Sequence, residues 1–161
     1  MEKLGSGTII KIGFVVHHIE TVMEEYAKIF GINPVPKVEM HLFDEKEQKP
    51  NTWQKFRGKD CAVNVKVAFI DLEPIFLEFL EPIDETPTPW REHLEKHGNS
   101  VCFMSFYVNG FQQNIDFMDK QGYPLLFSQE KGYERYAYFD TLENLGITLE
   151  IKERNEGVTG H

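Results

Sequence analysis

The chain has 161 residues, 41% of them hydrophobic and 13% aromatic, enough to bury a sizeable core in one compact unit. Its 17 Lys and Arg stand against 26 Asp and Glu, a formal net charge of -9, so the average surface repels a phosphate backbone and a nucleic-acid partner is not expected. No run approaches the roughly 20 apolar residues that span a bilayer, and the start lacks the apolar core of a secretory signal, which predicts a cytoplasmic protein without a membrane partner.

In chain order, residues 8–16 (TIIKIGFVV) are rich in β-branched and aromatic side chains and predict a first strand. His17 and His18 follow it as loop residues. Residues 20–30 place Val22, Met23, Tyr26 and Phe30 at helical spacing, and Gly31 is the expected stop. Pro34 and Pro36 prevent any continuation, after which 37–43 predicts a second strand with Glu39 and His41 on one side. The charged stretch DEKEQKPN reads as a solvated loop, and Trp53, Phe56 and Arg57 beyond it are candidates for a pocket rim. Strands are expected at 63–71 and 75–81, separated by Pro74. Three prolines between 82 and 89 mark a linker that divides the chain.

A short helix over 90–97 would close at Gly98; its His93 and His97, one turn apart, are expected on the surface. Residues 101–108 (VCFMSFYV) predict a strand, and 111–121 a helix with Phe111, Ile115 and Met118 on one face, ended by Gly122. Strands near 125–128, 135–140 and 147–152 complete the second half. The expected organisation is a first module at 1–81, a linker with a short helix at 82–98, a second module at 99–154 and a frayed tail at 155–161. Cys61 and Cys102 lie far apart in apolar stretches, which suits buried thiols rather than a zinc motif or a disulfide.

The halves repeat one another. KIGFVV at 11–16 falls on FMSFYV at 103–108 with an offset of 103 − 11 = 92, and the helix stops Gly31 and Gly122 are 91 apart. KVAFID at 66–71 matches RYAYFD at 135–140 (135 − 66 = 69), and FLEFLE at 76–81 matches TLEIKE at 148–153 (148 − 76 = 72), so the second half carries a longer turn. The repeat pairs Lys11 with Phe103 and Glu78 with Glu150. Each glutamate interrupts an apolar strand, where a buried carboxylate needs a cation or donors. Either both point into one shared cavity, or both strands are edges and the carboxylates face water.

Four segments, KIGFVVHHIETVMEEYAKIFGI, LEFLEP, REHLEKHGNSVCFMSFYV and AYFDTLENLGITLEI, resemble in their order and spacing the vicinal oxygen chelate superfamily, which includes glyoxalase I, methylmalonyl-CoA epimerase, extradiol dioxygenases and antibiotic-binding resistance proteins. The epimerase and glyoxalase I branch is the most similar. The resemblance implies an α+β fold in which two tandem βαβββ modules form a curved, barrel-like sheet around a pocket. It also implies a homodimer, because modules of this family often pair across one.

Active members typically hold a divalent metal through four side chains, often two His and two Glu. Glu78 and Glu150 match the carboxylates, whereas Lys11 and Phe103 stand at the His positions, so no resident metal is expected; were one bound, Glu78 and Glu150 would be its ligands. The Lys11 ammonium would then occupy the metal's ground, as an anchor for a ligand or as a structural ion pair. The implied chemistry is proton abstraction alpha to a carbonyl, of the methylmalonyl-CoA epimerase or lactoylglutathione lyase type, with Glu78 and Glu150 as catalytic bases and Lys11, Phe103, Tyr107 and His41 as substrate-binding residues. Phe14 and Phe69 would add aromatic lining, and Lys131 and Arg135 would meet phosphates of an acyl-CoA-like ligand. The alternative is a metal-independent binding protein of the antibiotic-sequestering type, holding a small molecule in the same cavity without transforming it.

Overall fold

The structure, a computed structural model, describes residues 2–161. Its strands are β1 (Ile9–Val15), β2 (Glu39–His41), β3 (Trp53–Phe56), β4 (Lys59–Asp60), β5 (Val65–Leu72), β6 (Ile75–Pro82), β7 (Ser100–Tyr107), β8 (Leu125–Glu130), β9 (Glu134–Phe139) and β10 (Thr148–Arg154). The α-helices are α1 (Ile19–Phe30), α2 (Pro89–His97), α3 (Phe111–Lys120) and the single turn α4 (Leu142–Leu145). All ten strands join one curved, unclosed sheet in the order β2-β5-β6-β1-β7-β10-β9-β8-β3-β4.

The repeat is visible as register. β1 runs parallel to β6 with Lys11 opposite Phe76 and Gly13 opposite Glu78, and β7 runs parallel to β10 with Phe103 opposite Thr148 and Ser105 opposite Glu150. The halves meet where β1 pairs antiparallel with β7, which sets Lys11 beside Ser105 and Gly13 beside Phe103. The longer turn of the second half is where α4 forms, ended by Gly146 in the left-handed region.

Alternation along each strand separates two faces. On the convex face α1 lays Ile19, Met23 and Ala27 on the sheet, where Ile19 and Met23 pack with Val16, Ala68, Ile70 and Phe79, and α3 covers Ala137, Phe139 and Ile151 with Met118. Phe14 belongs to this convex side, stacked on Phe79 at 4.9 Å; it does not line the cavity as expected, because it is one residue out of phase with Lys11 and Gly13. Helix α2 is entered through Thr88, whose hydroxyl accepts from the Arg91 N–H at 3.0 Å, and it seats Trp90 and Leu94 among Phe103, Phe127 and Tyr138. His93, expected on the surface, is buried on the inner side of α2 against His97, at 4.6 Å between ring centroids; burial first, and His97 second, pull its imidazole down.

The hairpin of β3 and β4 went unforeseen. It belongs in sequence to the first half, yet Trp53 to Phe56 pair with Glu130 to Phe127 of β8, at the far edge of the second half. Its two-residue turn, Arg57-Gly58, has both φ values positive (49° and 76°), the twist a tight hairpin needs, and the Arg57 guanidinium grips Glu92 of α2 at 2.6 and 2.9 Å. Only Phe56 of this segment is buried, which is why no apolar alternation announced it.

The tail, expected to fray, makes hydrogen bonds to the second half. Asn155 N–H donates to the Tyr133 carbonyl, the Arg154 guanidinium donates to the Gly160 carbonyl at 2.8 Å and the Lys152 ammonium to the His161 carbonyl at 3.0 Å, so the segment turns back across the sheet. Cys61 and Cys102 are free, buried thiols; burial pushes Cys102 up to about 12, which leaves it unreactive at neutral pH.

Candidate functional site

The concave face encloses a cavity of about 940 Å³, bordered by β2, the loop after it, β3, the inner faces of β5, β6, β9 and β10, and the tail. On its floor Lys11 of β1 reaches Glu78 of β6 at 2.6 Å and Glu150 of β10 at 3.4 Å. The two carboxylates thus converge on one ammonium from opposite halves. Glu150 is 1% exposed and also accepts from the Ser105 hydroxyl at 2.5 Å, whereas Glu78 Oε2 has no hydrogen bond of good angle and meets only the Lys11 charge. Burial by itself pulls the Lys11 ammonium down, but Glu150 and then Glu78 outweigh it and leave it above its ordinary value of 10.5.

Phe103, the partner of Lys11 in the repeat, is fully buried beneath the floor. Its ring lies over Gly13, where an added methyl would overlap it, packs edge-on against Tyr138 and sits 5.6 Å below the Lys11 ammonium. Tyr107 is half-buried near the end of β7 with the Arg154 guanidinium over its ring, outside the cavity lining. His41 and Glu39 do line the cavity, at its open edge on β2, 3.7 Å apart. Lys131 lines it too, whereas Arg135 turns away to Glu130 and Glu153. His17 and His18 are exposed and do not line the cavity.

A second charged group had no single sequence signal: Glu134 takes the Arg154 guanidinium at 2.5 Å and the Lys152 ammonium at 3.2 Å. All three line the cavity above Glu150, since Glu150, Lys152 and Arg154 share one face of β10. Burial pushes the Glu134 carboxyl up, and Lys152 and Arg154 more than offset this, so it sits below its ordinary 4.5. A depressed carboxylate contributes stability above its unfolded value and loses it as pH falls through the folded one. Glu134→Gln should therefore destabilise the fold by about 1–3 kcal/mol at pH 7. The deficit should shrink as pH drops below 4.5, as urea titrations at a series of pH values would show.

A divalent metal, the usual occupant of such a centre, does not fit these residues. The ammonium of Lys11 fills the space between the carboxylates, and the phenyl ring of Phe103 cannot ligate. Among the described residues no group of three or more His, Cys, Asp or Glu is arranged to hold a metal.

A concave sheet made of two βαβββ halves, with a polar centre where the halves meet, leaves a cavity of the size that small-molecule sites occupy. The chain belongs to the Glyoxalase/Bleomycin resistance protein/Dioxygenase superfamily, whose family model matches residues 11–139. Among solved structures it is similar to methylmalonyl-CoA epimerase from Mycobacterium tuberculosis, with 15% identity, a TM-score of 0.62, and coverage of 96% of this chain and 92% of that one. A serine-to-threonine variant of the Streptomyces coelicolor methylmalonyl-CoA epimerase in complex with 2-nitronate-propionyl-CoA gives 18% and 0.61, covering 96% and 98%. A methylmalonyl-CoA epimerase in complex with methylmalonyl-CoA and NH4+ gives 18% and 0.60, covering 94% and 97%. At these identities the likeness is one of fold. No curated protein matches the chain in sequence. Among the described residues, no helix is long and apolar enough to cross a membrane.

Proposed function

We propose that this cavity binds a small acyl ligand without a metal, and that the chain abstracts a proton alpha to the ligand's carbonyl. The observation that carries the reading is the buried Lys11 ammonium held between Glu78 and Glu150. A fixed, buried cation is suited to the oxygen of an enolate, because it needs little reorganisation as charge develops there. Glu78 is the better placed base: it lines the cavity with its side chain 13% exposed, whereas Glu150 is 1% exposed and also tied to Ser105. The Trp90 indole N–H, buried at the cavity wall and without a partner among the described residues, is a spare donor for a ligand oxygen. One structural neighbour is in complex with its substrate and an ammonium ion, and Lys11 presents a tethered ammonium. A homodimer residing in the cytoplasm belongs to the same proposal, resting on the family's habit of pairing modules across two chains.

Methylmalonyl-CoA is the first substrate to test. Chelator-treated protein should exchange solvent deuterium into its alpha position as fast as untreated protein, and Glu78→Gln should slow the exchange by about 100-fold or more. Exchange in the wild type at the buffer rate would defeat the enzymatic reading. The near-complete burial of Glu150 and its double engagement favour, as the second reading, a protein that holds its ligand without turnover. Calorimetric binding of methylmalonyl-CoA without exchange would select it.

A further inference from the structure

Val158, Thr159 and His161 of the tail line the cavity. The His161 ring lies 4.6 Å from the Phe69 ring at an interplanar angle of 7° and 4.7 Å from the Phe76 ring edge-on, with its Nε2 2.6 Å from Asp71 Oδ1. Phe69 pairs with Glu78 across β5 and β6, so this slot adjoins the Lys11 centre. The His161 carbonyl meets the Lys152 ammonium from the opposite half, and the Gly160 carbonyl meets the Arg154 guanidinium. Both cations are largely buried and share one carboxylate, Glu134, while Glu150 and Glu78 on the floor below also act on Lys152. Backbone oxygens of the tail take the donors that Glu134 leaves open, the kind of position a carboxylate oxygen of a ligand fills.

We propose that the slot of Phe69, Phe76 and Asp71, together with Lys152 and Arg154, is a ligand subsite that residues 155–161 occupy in the ligand's place. In that view the His161 imidazole stands for a planar ring with an N–H directed at Asp71, and the carbonyl on Lys152 stands for a carboxylate oxygen. The ligand class is therefore an N–H-bearing heteroaromatic ring joined by a short chain to a carboxylate. The inference rests on the reading of this cavity as the ligand site and narrows what enters it. It also makes the tail a competitor, since a ligand entering the subsite displaces the His161 ring.

The probe is 3-(imidazol-4-yl)propanoate, which repeats the histidine skeleton from ring to carboxyl carbon, and the measurement is calorimetric titration. A competitor that keeps the site filled nine-tenths of the time weakens apparent affinity about tenfold, so protein lacking residues 156–161 should bind the probe about tenfold more tightly than the full chain. His161→Ala, which leaves the backbone intact, should give part of that gain and decides the matter if the shortened chain does not melt cooperatively. In the shortened chain 3-phenylpropanoate, which lacks the N–H, should bind more weakly than the probe, and Arg154→Ala should weaken both. Equal affinities in full and opened chains, or no binding to either, overturn the proposal. Deuterium exchange into methylmalonyl-CoA by the same full chain is a separate readout, so a failed subsite and a failed enzymatic reading are told apart.

Discussion

Lys11→Ala should lose about 3–5 kcal/mol of stability at neutral pH, because it leaves Glu78 and Glu150 buried on the cavity floor without their shared cation. In a domain of this size that corresponds to a fall in Tm on the order of 10 °C. Lys11→Met keeps most of the stem and removes only the charge, so it should lose nearly as much, while Lys11→Met combined with Glu78→Gln and Glu150→Gln should recover a large part. The comparison separates the cost of an uncompensated carboxylate from the loss of packing. A raised lysine contributes stability that is complete below its unfolded value and lost as pH rises through the folded one. The wild-type advantage should therefore hold steady from neutrality to about 10.5 and decline only above it. Urea midpoints of Lys11→Ala within about 1 kcal/mol of wild type would mean that the three charges are not coupled as their distances imply.

Gly13→Ala should be nearly as damaging for a steric reason. The added methyl would sit inside the Phe103 ring, and that ring has nowhere to go: it is fully buried, edge-on to Tyr138 and clustered with Trp90 and Phe127. Overpacking typically costs about 1–3 kcal/mol, and this site belongs at or above the upper end because the neighbour is rigid rather than a flexible chain end. The pair Gly13→Ala with Phe103→Leu should be more stable than Gly13→Ala alone, as chemical denaturation would show. Gly13 thus has a specific duty, to let Phe103 fill from below the ground that a second ligating side chain would otherwise take.

Much of this was legible in the residues. The first strand, the helices ending at Gly31 and near Gly122, and the offsets of 92 and 72 all reflect local properties: strand and helix periodicity, helix stops, and a module written twice. The pairing of Lys11 with Phe103 and of Glu78 with Glu150 could be read for the same reason, since a repeat carries equivalent positions along with it. What the sequence could not show depends on contacts between segments far apart in the chain. The hairpin of β3 and β4 has almost no apolar pattern of its own and takes its place from an edge of the other half. The tail is polar and rich in residues typical of loose ends, yet it is ordered by Lys152, Arg154 and two phenylalanines from the first half. The Glu134 cluster likewise exists only where β9 and β10 lie side by side. The chain by itself determined the modules, their order and which residues are equivalent, because those are carried by short-range pattern. Only the tertiary structure decided which faces those residues share and what lies across the cavity, because both are set by the way the halves curve toward each other.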